Sequence, residues 1–125
     1  MRRLLTLTAV IEAATGLILL AYPPLLIRLL LGTEINGVGV IISRIAGAAL
    51  LAIGIACWVA RRESSGIAQR ALLIGVLTYN VAATGILSSS RWQLDAIGIA
   101  LWPAVVAHFV LAVWCVVCLR SKPIG

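Results

Sequence analysis

Apolar residues in this chain form four long runs separated by short polar segments. The runs cover about residues 4–22, 38–60, 71–87 and 96–119. A helix needs about 20 mostly apolar residues to cross a bilayer, and backbone groups in hydrocarbon must be hydrogen-bonded within their own segment. The pattern therefore predicts an all-α fold, a bundle of four transmembrane helices that forms a single domain over residues 1–125.

A shorter apolar segment, residues 25–31, follows the first run after Pro23 and Pro24. It is too short to span a bilayer, and Arg28 lies in its middle. An apolar segment with a central cation favours the membrane surface. We therefore predict a short interfacial helix after the first span.

The composition supports a membrane protein. Apolar residues make up 62% of the chain and charged residues 11%, whereas soluble domains carry about 25% charged residues. The net charge is +6, but the basic residues lie mainly at the ends of the apolar runs. This placement favours the lipid bilayer, with its anionic headgroups, as partner and excludes nucleic acid.

The first run begins after two arginines, as the apolar region of a signal peptide does. Glu12 interrupts the run, and no small-residue cleavage site closes it. These features favour a retained first helix.

The basic residues also predict an orientation. Two of them, Arg28 and Arg91, fall on one side of the four spans. The other side carries seven: Arg2, Arg3, Arg61, Arg62, Arg70, Arg120 and Lys122. Because basic residues concentrate on the cytoplasmic side, we expect both termini in the cytoplasm.

Small residues recur every four positions on the second span, at Ala48, Ala52 and Ala56. Such stripes let helices approach closely in a membrane. The stripe predicts close packing, either within one chain or between the two copies of a homodimer.

Each span carries one residue that is costly in lipid. A charge at the bilayer centre costs about 2.5–3.5 kcal/mol on insertion scales, so such groups face inward and pair. We expect a Glu12–Arg44 ion pair in the bundle interior, with Asn80 and His108 within reach. Further polar or aromatic residues could contribute to this site: Thr8, Thr15, Tyr79, Thr84 and Trp102. Pro103 predicts a bend just above His108.

Two interpretations of these residues stay open. They could fix which helices pair, or they could form a ligand or proton site at mid-depth. In the second case Glu12 would bind a proton or a cation, and Arg44 would hold its charge or bind an anionic headgroup. Asn80 and His108 would orient a polar ligand atom.

The cysteines suggest packing rather than chemistry. Cys115 and Cys118 have the spacing of a redox or metal pair, but they lie at the C-terminal end of a predicted helix, where the dipole does not favour a thiolate. We predict no metal site, and a thiol redox role stays an alternative.

Short motifs resemble those of a known group. The stretch from Arg44 through Gly47 and Gly54 to Trp58, then Tyr79-Asn80 and the segment 102–108, resembles small bacterial four-helix membrane proteins of the DoxX-like group. The resemblance implies a four-helix bundle in the bacterial inner membrane with cytoplasmic ends. DoxX-like proteins serve as accessory subunits or assembly factors, which implies a larger membrane complex.

Glu12 also invites comparison with small multidrug exporters, which bind protons and cations at a first-span glutamate. Arg44 argues against that similarity, because a positive charge in the site would repel a cation. The leading hypothesis is a non-enzymatic accessory or ligand-binding module that holds a lipid or a quinone. The alternatives are a small proton-coupled transporter acting as a dimer and an intramembrane thiol redox protein.

Overall fold

The computed structural model describes residues 1–63 and 66–121, most of which are helical. In chain order the helices are α1 (Arg2–Ala21), α2 (Pro23–Leu31), α3 (Gly37–Ala60), α4 (Ile67–Ser90) and α5 (Leu101–Arg120). The described residues contain no strand, which confirms the predicted all-α fold. Four of the helices (α1, α3, α4 and α5) are long and apolar enough to cross a membrane, as the four runs predicted.

Helix α4 extends beyond the predicted third span at both ends. It begins at Ile67 rather than at residue 71. Gln69 in its first turn is buried, and its Nε2 donates a hydrogen bond of 3.0 Å to the carbonyl oxygen of Ala60. The same carbonyl at the end of α3 also accepts from the backbone amide of Glu63 at 3.2 Å, so the Gln69 bond ties the start of α4 to the end of α3. At the other end the hydroxyls of three serines donate to carbonyls of the preceding turn, so the helix continues to Ser90.

Helix α5 begins later than predicted, at Leu101 rather than at residue 96. The amides of Gly98 and Ala100 donate to the carbonyls of Leu30 and Leu29, at 3.1 and 2.8 Å. Gly98 lies so close to the carbonyl of Leu29 that a Cβ would not fit. The apolar residues just before α5 therefore form a loop that binds the end of α2.

Pro103 does not have the predicted effect. It is the third residue of α5, so it lies in the first turn, where amide groups have no helical partner. The carbonyl that its ring would leave without a bond belongs to Ile99, which precedes the helix. A proline in the first turn is tolerated by a helix, so the reason for expecting a bend above His108 no longer holds.

Helix α2 corresponds to the predicted short helix. Proline occupies its first two positions, where its fixed φ suits a helix start. The helix ends at Gly32, whose φ of +67° is left-handed and favours glycine. Arg28 and Glu34 form an exposed ion pair of 3.9 Å beside this turn.

The long helices form two tightly packed pairs, α1 with α3 and α4 with α5, and contacts between the pairs are sparser. Glycines bring α1 and α3 together. The backbones touch where Gly16 meets Gly47 and where Gly54 meets Ala9 and Ala13. Close approach of this kind drives helix association in lipid.

The alanine stripe on α3 does not take part in this packing. Ala48, Ala52 and Ala56 are exposed, whereas Gly47 and Gly54 are buried. Glycine allows a closer approach than alanine, so the glycine face packs against α1 and the alanines point away from the bundle. Of the two alternatives for this stripe, the structure contradicts packing within one chain, and packing between the two copies of a homodimer stays a prediction.

A core of buried residues fills one end of the bundle, between the two pairs. Met1 and Leu119 both pack against it, so the start of α1 and the end of α5 lie at this end, which we call the terminal end. The members are Leu4, Leu5, Ala9, Cys57, Leu73, Val76, Leu111, Cys115 and Cys118. The polar residues of the spans lie deeper in the bundle, beyond this core.

Candidate functional site

Glu12 lies on the buried face of α1, one helical turn from Thr8. The two residues are 1% and 0% exposed. Glu12 Oε1 and Thr8 Oγ1 have no hydrogen-bond partner among the described residues. An unsatisfied buried polar atom is costly, so two neighbouring ones on a single helix face make this face a candidate site.

Asn80 and His108 join the second helix pair. The Nδ1 of His108 lies 2.9 Å from Oδ1 of Asn80, across the interface between α4 and α5. Asn80 is fully buried, and its Nδ2 donates to the carbonyl oxygen of Val76 at 2.8 Å. The amide of Asn80 is therefore bonded on both sides, and it fixes the position of the imidazole.

Tyr79 connects the two halves of the site. Its ring meets the imidazole of His108 edge to face, with centroids 5.5 Å apart. Its hydroxyl approaches the carboxyl of Glu12. Because Glu12 Oε1 still has no partner, Tyr79 does not fully satisfy the carboxyl. The result is a polar cluster of four neighbouring side chains, Glu12, Tyr79, His108 and Asn80, that crosses from one helix pair to the other, with a ring contact between Tyr79 and His108.

Arg44 is not part of this cluster, and the predicted Glu12–Arg44 ion pair was wrong. Arg44 is exposed on the outer surface of α3. The antiparallel register explains the separation, because Gly54 contacts Ala13, next to Glu12. Arg44 lies ten residues before Gly54, or about 15 Å along the helix axis, which is too far for the two side chains to meet.

The remaining predicted residues divide between the cluster and its surroundings. The hydroxyl of Thr84 donates to the backbone carbonyl of Asn80 at 2.8 Å. Thr8 is next to Glu12, as described above. Thr15 is partly buried, one turn beyond Glu12 on α1. Trp102 is 48% exposed in the first turn of α5 and does not join the cluster.

The three cysteines lie together in the core at the terminal end. Cys57, Cys115 and Cys118 are buried free thiols. Within the described residues, no group of three or more His, Cys, Asp or Glu side chains is placed to hold a metal ion. The three cysteines are surrounded by leucine and valine side chains, so they pack as small apolar residues.

Tyr79 is the residue whose importance was underestimated from the sequence. Neighbours on a helix point about 100° apart, which predicts that Tyr79 and Asn80 do not face the bundle centre equally. Both contribute because α4 borders two helices: Asn80 bonds to α5, and Tyr79 reaches toward α1. Two adjacent polar residues on a helix that borders two other helices are the sequence signal for such a bridge.

The electrostatics of the cluster follow from its composition. It contains one carboxyl and, within the described part of the chain, no arginine or lysine is paired with it. A carboxyl buried in an apolar medium without a cation is more stable as the neutral acid. The arrangement can therefore hold a proton at Glu12.

Comparisons with known proteins found no family model, no curated protein and no solved structure that matches this chain.

Proposed function

We propose that this chain is a non-enzymatic membrane protein whose working group is Glu12, which takes up and releases a proton inside the bundle. The observation that carries the proposal is the burial of Glu12 with an unpartnered oxygen beside Tyr79. Ionisable groups inside a membrane are expensive, and they usually serve function. The rest of the cluster supplies polar groups among which a proton can be shared.

In this proposal the protein is an accessory module of the bacterial inner membrane, as the DoxX-like resemblance suggests. Both termini face the cytoplasm, and α2 lies along the opposite membrane surface. The basic residues near the terminal end support this orientation, although Lys122, which we counted among them, lies outside the described residues.

The ligand class that we propose is a lipid or a quinone. A groove of about 440 Å³ runs between α4 and α5. Its lining is apolar apart from Thr84, which also bonds to the backbone of Asn80. An acyl or isoprenoid tail in this groove would contact Thr84, whose hydroxyl bonds to the backbone of Asn80 in the polar cluster.

Infrared spectroscopy of the protein in lipid nanodiscs tests the role of Glu12. At neutral pH we expect the carbonyl-stretch band of a protonated carboxylic acid, which shifts on deuteration and disappears in Glu12→Gln. The matched control is Glu34→Gln, because Glu34 is exposed and paired with Arg28. If the band is missing from the wild type, or persists in Glu12→Gln, Glu12 does not hold the proton.

A second candidate function is a small proton-coupled transporter that works as a dimer. The position of Arg44 favours it, because the positive charge that would repel a cation from Glu12 is on the outer surface. Proteoliposomes under a pH gradient distinguish the two functions. A transporter shows proton flux that Glu12→Gln abolishes and Glu34→Gln preserves, whereas an accessory module shows no Glu12-dependent flux.

A further inference from the structure

His108 is the single histidine of the chain, and one of its ring nitrogens has a defined partner. Nδ1 lies 2.9 Å from Oδ1 of Asn80. A histidine nitrogen either donates or accepts in such a contact, depending on which nitrogen carries the proton. Whether the partner atom on Asn80 is a donor or an acceptor therefore decides which nitrogen of the imidazole carries the proton.

The orientation of the Asn80 amide is fixed by the backbone of its own helix. One end of the amide lies 2.8 Å from the carbonyl oxygen of Val76. A carbonyl oxygen can only accept a hydrogen bond, so the amide nitrogen must occupy that end. The amide oxygen then faces His108, and because it cannot donate, Nδ1 of His108 must carry the hydrogen.

We propose that Asn80 is a positioning residue that holds neutral His108 in the Nδ1–H tautomer, so that Nε2 is the second proton acceptor of the cluster. In a neutral imidazole one nitrogen carries the hydrogen and the other has a free lone pair. The partner of one nitrogen sets which of the two is free. A proton added to His108 enters at Nε2 while the bond from Nδ1 to Asn80 is kept.

The surroundings of the imidazole support this assignment. The titratable group in ring contact is Tyr79, which packs edge to face and restrains the ring plane. The next is Glu12 on α1, which Tyr79 approaches. The hydroxyl of Thr84 donates to the backbone carbonyl of Asn80, not to its side chain, so the amide remains available to the imidazole.

The role of His108 as an acceptor rests on the proposed function, whereas the tautomer rests on geometry alone. Experiment can therefore contradict the acceptor role and the tautomer separately. The infrared experiment reports a carboxyl group on α1, and the experiment below reports an imidazole on α5.

Nitrogen-15 NMR of the protein in nanodiscs, labelled only at histidine, observes His108 without ambiguity. At alkaline pH the wild type should show a protonated Nδ1 and a bare Nε2. As the pH falls, the Nε2 resonance should move to the protonated position while Nδ1 stays protonated. A bare Nδ1 in the neutral wild type would overturn the proposal.

Variants of Asn80 test the positioning role. Asn80→Leu removes the acceptor, so the Nε2–H tautomer should appear in the spectrum. Asn80→Asp keeps an oxygen facing Nδ1 and should preserve the Nδ1–H state. Thr84→Val is the matched control and should leave the tautomer unchanged. If Asn80→Leu does not fold, Asn80→Asp decides: loss of the Nδ1 proton in that variant contradicts a positioning role. An Nδ1–H tautomer that persists in folded Asn80→Leu contradicts it equally.

Discussion

Replacing Gly16 with alanine should separate α1, the helix that carries Glu12, from α3. A Cβ at this position would lie 2.6 Å from the carbonyl oxygen of Gly47 and 2.8 Å from the amide nitrogen of Leu51. Ordinary van der Waals contact for a Cβ begins at 3.4 Å, so α1 and α3 must move apart by about 0.8 Å, the difference between that distance and the shorter contact. Backbone atoms cannot rotate away as a side chain can.

The expected cost follows from the overpacking. Inserting a carbon into a packed interface costs about 1–3 kcal/mol, and alanine recovers roughly 0.5–1 kcal/mol because it is a better helix former than glycine. We therefore expect Gly16→Ala to lower the free energy of unfolding by about 1 kcal/mol, within a range of about 0–2.5 kcal/mol. Glu12 is one turn away on α1, so the variant should also disturb the approach of Tyr79 to the carboxyl.

Equilibrium unfolding in mild detergent with increasing denaturing detergent, followed by circular dichroism, measures this cost. Gly75→Ala and Gly85→Ala are matched controls, because a Cβ at either position meets nothing within 4 Å. Both should unfold at or above the wild-type midpoint. If Gly16→Ala is as stable as these controls, α1 and α3 are not packed backbone to backbone.

Three further predictions concern the core, the corrected ion pair and the thiols. Leu73→Ala, at a fully buried position, should cost about 2–5 kcal/mol of unfolding free energy, whereas Ile74→Ala, at a position 52% exposed, should cost clearly less in the same assay; equal costs would argue against a core at the terminal end. In a double-mutant cycle, Glu12→Gln and Arg44→Leu should be additive within about 0.3–0.5 kcal/mol because the side chains do not meet, and a coupling above 1 kcal/mol would restore the ion pair. Three thiols are buried: Cys57, Cys115 and Cys118. A maleimide should therefore label the folded protein slowly and the unfolded protein completely, and rapid labelling of the folded protein would contradict their burial.

Hydropathy alone was enough to predict the helices, because length and apolarity are properties of single segments. The four spans and the short helix after the first are present in the structure. Boundaries that depend on other segments could not be predicted in this way. The start of α5 is set by bonds from Gly98 and Ala100 to the end of α2, and no local pattern reveals a partner distant in sequence.

The site was predicted only in part. Residues that face the bundle interior meet only if they also lie at the same depth along the bundle axis. Glu12, Asn80 and His108 meet that condition, since they lie near the middle of their spans. Arg44 does not, because the glycine contacts set a register that leaves it far from Glu12. Gly47 and Gly54 lie near the alanine stripe on α3, and periodicity could not show that the glycines would pack against α1 instead of the alanines.

In the proposed function the proton on Glu12 is exchangeable rather than a fixed structural element. The most direct test is a pH titration of the protonated-carboxyl infrared band in wild-type nanodiscs, with Glu12→Gln as the spectral reference. We predict that the Glu12 band loses intensity as the pH rises, returns when the pH is lowered, and does so while the helical signal is constant. A band that stays unchanged until the protein unfolds would contradict a role in proton uptake and release.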